Sequence, residues 1–136
     1  ENCAMRKSNM ATYLSQLTSA WQNAIKQVNK LSSAGSQSTT IKTTADKLFL
    51  LSEVEIFGST SYSVSGEGTQ YAYYKAGNSK VKNVSGSAYN WWERSPNANN
   101  TTNFCNVNSN GNANNNNANN SNGVAFGFRL FPGETE

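Results

Sequence analysis

The sequence predicts an α+β fold with short N-terminal helices, a small antiparallel sheet and long irregular loops, and three observations carry that prediction. Apolar residues recur at three- and four-residue spacing from Met10 to Val28. Short apolar or aromatic runs follow at Asp46–Ser52, Tyr89–Pro96 and Val124–Phe131, each of strand length. Between them lie stretches of Gly, Ser, Thr and Asn too polar to be buried and too long to be tight turns.

The first stripe is Met10, Tyr13, Leu14, Leu17, Trp21, Ala24, Ile25 and Val28, one face of a helix and the material of a core. Thr18 is placed to cap a second helix, so the stripe is expected as one helix or as two with a break near Leu17. From Gln27 to Thr44 the chain turns Ser- and Thr-rich around Ala34-Gly35-Ser36, which predicts an exposed β-hairpin, a surface ribbon with a glycine turn. Asp46-Lys47-Leu48-Phe49-Leu50-Leu51-Ser52 is the most continuous apolar run and suits a buried central strand. Asp46, the single aspartate, is expected to cap or to pair locally. Gly58 to Gly68 reads as a long loop, and the tyrosines of Thr69–Lys75 as a short helix or a packing ledge.

More than half of the residues from Asn97 to Asn122 are asparagine. On composition this is low complexity, which disorder or aggregation would explain. Its flanks argue otherwise, because Trp91 and Trp92 precede it and Phe126 and Phe128 follow it. Phe104, Cys105 and Val107 recur inside it as strand anchors, and Asn110-Gly111 is a hairpin dipeptide. The tract is therefore expected to be folded.

At 136 residues the chain is expected to form a single domain, residues 1–136, around one core. Charged residues are 14% of it, below the ~25% of an average soluble domain. Its net charge of +3 comes mostly from residues up to Lys82, after which only Arg94 and Arg129 are basic, so no cation cluster accompanies the aromatics and nucleic acid binding is not expected. No run approaches the ~20 apolar residues that span a bilayer, so membrane insertion is not expected either. The chain opens at Glu1 without an initiator Met, and a targeting region upstream is expected. Cys3 and Cys105 lie far apart. Pairing them would close a loop of about 100 residues, worth about 4–5 kcal/mol on the chain-entropy view, but two free thiols are the favoured state.

The chain has no histidine, which removes imidazole-based triads and dyads, and two distant cysteines with one aspartate support no metal site. Carboxylate pairs could still serve glycoside hydrolysis. Glu53 and Glu55 lie two apart, on one face of any strand there, and Glu93 adjoins Trp92. Pairing of Glu55 and Glu93 with Lys or Arg94 explains them equally well, so an enzyme is not the favoured reading and no cofactor is expected. Sequons at Asn83, Asn99, Asn100 and Asn119 are what chance yields in a chain so rich in Asn, Ser and Thr.

Three segments in order, Asp46–Glu55, Trp91-Trp92-Glu93-Arg94-Ser95-Pro96 and Asn122-Gly123-Val124-Ala125-Phe126-Gly127-Phe128-Arg129, with the Asn-rich insert between the last two, resemble the variable proteins of diversity-generating retroelements. These occur in phages, bacteria and archaea and carry a C-type lectin fold, and the likeness covers nearly the whole chain. The resemblance implies a ligand-binding display protein, not an enzyme. In that family a reverse transcriptase copies a template with errors at adenines. Asparagine codons are then efficient seeds of variation, because changing their first two positions yields residues of every class and never a stop. The resemblance assigns variable ligand-contact positions within a diversifiable region of about 89–122: Asn90, Asn97, Asn99, Asn100, Asn103, Asn106, Asn108, Asn110, Asn112, Asn114, Asn115, Asn116, Asn117, Asn119 and Asn120. It assigns the rigid framework to Trp91, Trp92, Arg94, Gly123, Phe126, Phe128 and Arg129. The implied partner is a protein or glycan receptor on a target cell surface, the implied location a virion or a bacterial cell surface, and a homo-oligomer is compatible with it. Ser95-Pro96-Asn97 lacks the acid of calcium-dependent sugar lectins, and the cysteines match no formylglycine-type pattern. A structural virion or cell-surface module with a passive Asn-rich face is the alternative, and a carbohydrate-active enzyme using Glu53, Glu55 or Glu93 is the least favoured.

Overall fold

In a computed structural model, which describes residues 3–130, the N-terminal stripe breaks into two helices. A π-helical turn, Met5–Asn9, runs into α1, Met10–Gln16, and Leu17 leaves the helical region with ψ 154°. Thr18 is extended and its hydroxyl accepts from the Trp21 amide at 3.5 Å, which starts α2, Ser19–Ala24. The stripe is not helical to its end, because Ile25 already belongs to strand β1, Ile25–Lys26. Nor is it all core. Met10 and Ile25 are buried, but Trp21 is 47% exposed and meets the ring of Phe128 edge-on at 5.8 Å.

Strands β2, Val28–Ser33, and β3, Ile41–Asp46, form the expected antiparallel ribbon, in register from Val28↔Asp46 to Ser33↔Ile41. Gly35 turns the chain with φ 82°, and Ser36 and Gln37 follow it into the left-handed region. The ribbon is not a free surface element. Lys30, Ser33 and Thr44 are buried, because β2 packs against the central sheet.

The run Asp46–Ser52 is not one central strand. Asp46 closes β3, and only β4, Phe49–Leu50, is extended and paired, with β10, Phe126–Gly127. The physical reason is a capping box. The Ser52 hydroxyl accepts from the Glu55 amide while the Glu55 carboxylate accepts from the Ser52 amide, which starts α3, Glu53–Phe57, directly after the strand. Glu53 and Glu55 are therefore helical, not neighbours on a strand face. Gly58 ends α3 with φ 74°, the loop to Gly68 follows, and the tyrosines form α4, Ala72–Lys75. A hairpin not foreseen in the sequence, β5, Lys82–Val84, and β6, Ser87–Tyr89, turns on Ser85-Gly86, both at positive φ.

The central strand is instead β7, Trp91–Pro96, in the three-stranded antiparallel order β7, β8, β9, with β8 at Asn103–Val107 and β9 at Ala113–Asn117. On the opposite edge of β7 the chain returns through Gly123, whose carbonyl accepts from the Trp92 amide at 2.9 Å. Successive residues on a strand face opposite ways. Trp92 accordingly joins a core with Met10, Ile25, Leu48 and Leu50, and Trp91 a second core with Ile56, Tyr74 and Val107. The segment after Val124, expected as one strand, splits into β10 and β11, Arg129–Leu130, which pairs with β1, and Phe131 lies outside the described residues. The architecture is thus α+β, mostly small antiparallel sheets with a few short helices. No helix among the described residues is long and apolar enough to cross a membrane.

Candidate functional site

The asparagine tract is folded. Ten residues of β8 and β9 lie in it, in register from Asn103↔Asn117 to Val107↔Ala113. The turn between them is longer than the Asn110-Gly111 dipeptide suggested. Gly111 takes φ 84°, Asn110 keeps negative φ, and the Asn108 carboxamide oxygen accepts from the Asn110 and Asn112 amides at 2.9 and 3.0 Å.

The positions assigned to ligand contact sort by place in this hairpin. Asn99, Asn100, Asn110, Asn112, Asn117, Asn119 and Asn120 are exposed, and Asn90, Asn103, Asn108, Asn114, Asn115 and Asn116 are half-buried. Two are not surface positions. Asn97 is buried where its side chain accepts from the Asn99 amide at 2.7 Å, and Asn106 is wholly buried on the middle strand, opposite Trp92. Nor do the others share one sheet face. Alternation puts Asn115 and Asn117 on the side of Asn103, which donates to Asn115 at 2.7 Å, and puts Asn114 and Asn116 on the side of Phe104. The exposed amides form a rim, from the Asn108–Asn112 turn along β9 to the loops at Asn99–Asn100 and Ala118–Asn120.

Of the framework positions, Trp91 and Trp92 are buried, Gly123 and Phe126 are half-buried, and Phe128 and Arg129 are exposed. Phe128 is thus not core packing, and it caps the exposed ring of Trp21.

Arg94 is the hub that holds the rim to the rest of the chain. Between the pairs Trp92↔Asn106 and Pro96↔Phe104, β7 places Glu93, Arg94 and Ser95 opposite the single residue Cys105, a bulge that re-aims side chains. From it Arg94 donates through Nε to the Leu31 carbonyl and the Ser32 hydroxyl, at 3.0 and 3.2 Å. It donates through Nη1 to the Leu50 carbonyl at 2.9 Å and to the Glu55 carboxylate, and through Nη2 to the Glu67 carbonyl at 2.8 Å.

Four buried carboxylates surround this hub, and sequence reasoning singled out all but Glu67. Glu55 is paired with Arg94 and with Lys30, which also donates to the Tyr71 hydroxyl at 3.0 Å. Burial pushes its acidity one way, but the two cations outweigh it and hold Glu55 below the usual carboxylate range. Glu53 accepts from the Tyr62 and Ser63 amides and from the Ser63 hydroxyl at 2.7 Å. Glu67 accepts from the Ser33 amide at 2.6 Å and from the Ser95 hydroxyl, and burial still raises it. Glu93 has no partner for either oxygen, contrary to the expected pairing. Burial, then the charges of Glu53 and Glu67, push its pKa well above the ordinary value, with Arg94 offsetting part. Asp46 accepts locally from the Thr44 hydroxyl at 2.6 Å, but its ion pair is with Arg6, forty residues away.

Cys3 and Cys105 are both free thiols, and burial, then the charge of Glu93, pushes Cys105 far up. No group of three or more metal-ligating side chains occurs among the described residues. A family model described as a domain of unknown function (DUF6273) matches residues 1–130. No curated protein and no solved structure matches the chain.

Proposed function

The chain belongs to the DUF6273 family, and we propose that it is a ligand-binding display protein with a C-type lectin fold, a variable protein of a diversity-generating retroelement. The observation that carries the reading is the division of labour around β7. Trp91, Trp92 and Arg94 tie the strand to both cores and to the hub, while thirteen of the fifteen assigned asparagines lie at least partly in solvent on the rim. Binding residues collect on loops and edges held by a rigid scaffold, and rim side chains can change without repacking a core.

Asparagine is a poor strand former, so its dominance in β9 has no account in folding stability. Template-directed mutation at adenines accounts for it, with this copy close to its unmutated template. Carboxamides provide donor and acceptor in one small group, as asparagine does in antibody loops, while tight binding needs the aromatic and arginine anchors that diversification would introduce. The Glu53 and Glu55 lone pairs are spent on backbone and cation donors, which favours a structural role for them over acid–base catalysis. The partner is a protein or glycan receptor, met from a virion or a bacterial surface.

Complete sequencing of the source genome tests this. A near-copy of the Tyr89–Leu130 coding region beside a reverse transcriptase gene, differing only at adenines, is expected. A complete genome without such a repeat removes the proposal.

A further inference from the structure

A cavity of about 440 Å³ lies between the N-terminal segment Cys3–Met10, the β2–β3 ribbon and β7, and reaches Phe104 of β8 and Ala118 just after β9. Its volume is within the range of small-molecule sites, and Met10, Leu48, Leu50, Trp92 and Phe104 give it an apolar wall. Of the charged residues that line it, Arg6 and Asp46 are paired with each other, Arg94 is engaged in the hub, and Lys42 is exposed. Glu93 lines it too, with 2% of its surface exposed and both carboxyl oxygens lacking a hydrogen-bond partner. A buried polar group left so is destabilising, and a folded chain carries few of them.

The charge around Glu93 decides what would complete the site. Glu53 from α3, Glu67 from the loop before α4 and Arg94 from β7 are the charged groups that act on it, and it in turn acts on the Cys105 thiol of β8. Arg94, the cation that acts on Glu93, is already paired with Glu55. An anionic ligand would meet uncompensated carboxylates, and a neutral one would leave the excess in place.

We infer that this cavity is a binding site for a small molecule with an apolar body and a cationic amine, the amine pairing with the Glu93 carboxylate. None of the assigned asparagine positions lines it, so the site is distinct from the proposed ligand-contact positions although it adjoins the rim at Ala118. Burial and the neighbouring acids Glu53 and Glu67 raise Glu93 well above the ordinary carboxylate value, and a cationic partner at its carboxylate would act in the opposite sense.

Titration calorimetry with hexylamine, hexanol and hexanoate, in phosphate and in HEPES buffer at neutral pH, tests this directly. Hexylamine should bind at least about ten-fold more tightly than hexanol, hexanoate weakest. Glu93→Gln, which keeps the shape, should remove the amine preference while keeping hexanol binding. Ala34→Trp, at the cavity rim, leaves Glu93 intact and should weaken all three probes. Equal binding of amine and alcohol, an unchanged amine preference in Glu93→Gln, or no binding of any probe overturns the assignment.

Discussion

Arg94 and Glu55 form a buried ion pair that joins the central strand to the first turn of α3, and each is held by further bonds that fix the geometry. The Glu55 oxygen that Arg94 contacts also closes the capping box on Ser52, so helix start and strand position are set by one carboxylate. Gly68 adds a steric constraint, since a Cβ there would lie 3.0 Å from Glu55 Oε1 at a φ of +115°.

Breaking this pair from one side should be costly. Arg94→Met leaves the Glu55 charge buried with Lys30 alone and removes a donor from the Leu31, Leu50 and Glu67 carbonyls, of which Glu67 keeps the Ser52 hydroxyl, and a loss of about 3–5 kcal/mol is expected in urea unfolding. The double change with Glu55→Gln should cost less than the sum of the single changes. Additive losses would show that the two residues act separately.

Asn106 is the opposite case, a wholly buried amide with neither its oxygen nor its nitrogen partnered. Asn106→Leu replaces an unsatisfied polar group with one suited to its neighbours Trp92 and Phe104. A gain of about 1–3 kcal/mol is expected from the change in denaturation midpoint. A loss would mean that the amide bonds to something in solution.

The rim should tolerate change. Alanine at Asn110, Asn112, Asn119 or Asn120 removes exposed side chains, and each should alter stability by less than about 0.5 kcal/mol. Asn97→Ala, which deletes a buried acceptor of the Asn99 amide, should cost about 1 kcal/mol. Thermal unfolding of the five variants would separate the two groups, and rim variants that unfold easily would contradict a display surface.

Cys105 should be inert in the folded protein, because it is fully buried and its thiol is pushed up by burial and by the charge of Glu93. Half-buried Cys3 should react with a thiol reagent under native conditions, and Cys105 only on unfolding. Two native-state equivalents would contradict the packing of β8.

Local chemistry was readable in the sequence where one residue decides the outcome. Thr18 caps, Gly35 turns, and the tyrosines of α4 form a short helix. The missed features depend on pairing across distance. Nothing local says that Asp46 ends β3, that β4 has only two residues, or that Trp91–Pro96 is the central strand, because these follow from distant partners, Val28 for Asp46, Phe126 for Leu50 and Gly123 for Trp92. The site was half visible for the same reason. Glu53, Glu55 and Glu93 drew notice as acids, but Glu67 lay in a Gly- and Ser-rich loop, and its burial depends on Ser33 and Ser95. The period of two in β8 could have separated Asn106 from its neighbours, since Cys105 and Val107 already mark the strand.

Stability should vary with pH in opposite senses through Glu55 and Glu93. Burial alone would raise Glu55, but Arg94 and Lys30 hold it below its ordinary 4.5, so its contribution is present above that value and lost as pH falls through the folded one. For Glu93, burial and then Glu53 and Glu67 raise the folded value, so its contribution is full below 4.5 and lost as pH rises through it. Glu67, also raised, acts in the same sense as Glu93. Stability is therefore expected to be greatest in mildly acidic solution. Urea unfolding from about pH 3 to about pH 9 would show this. Glu93→Gln should flatten the decline on the upper side only, and Glu55→Gln the decline on the lower side only. Parallel curves for Glu93→Gln and the unmodified chain above pH 4.5 would mean that the Glu93 carboxyl is not held neutral by its surroundings.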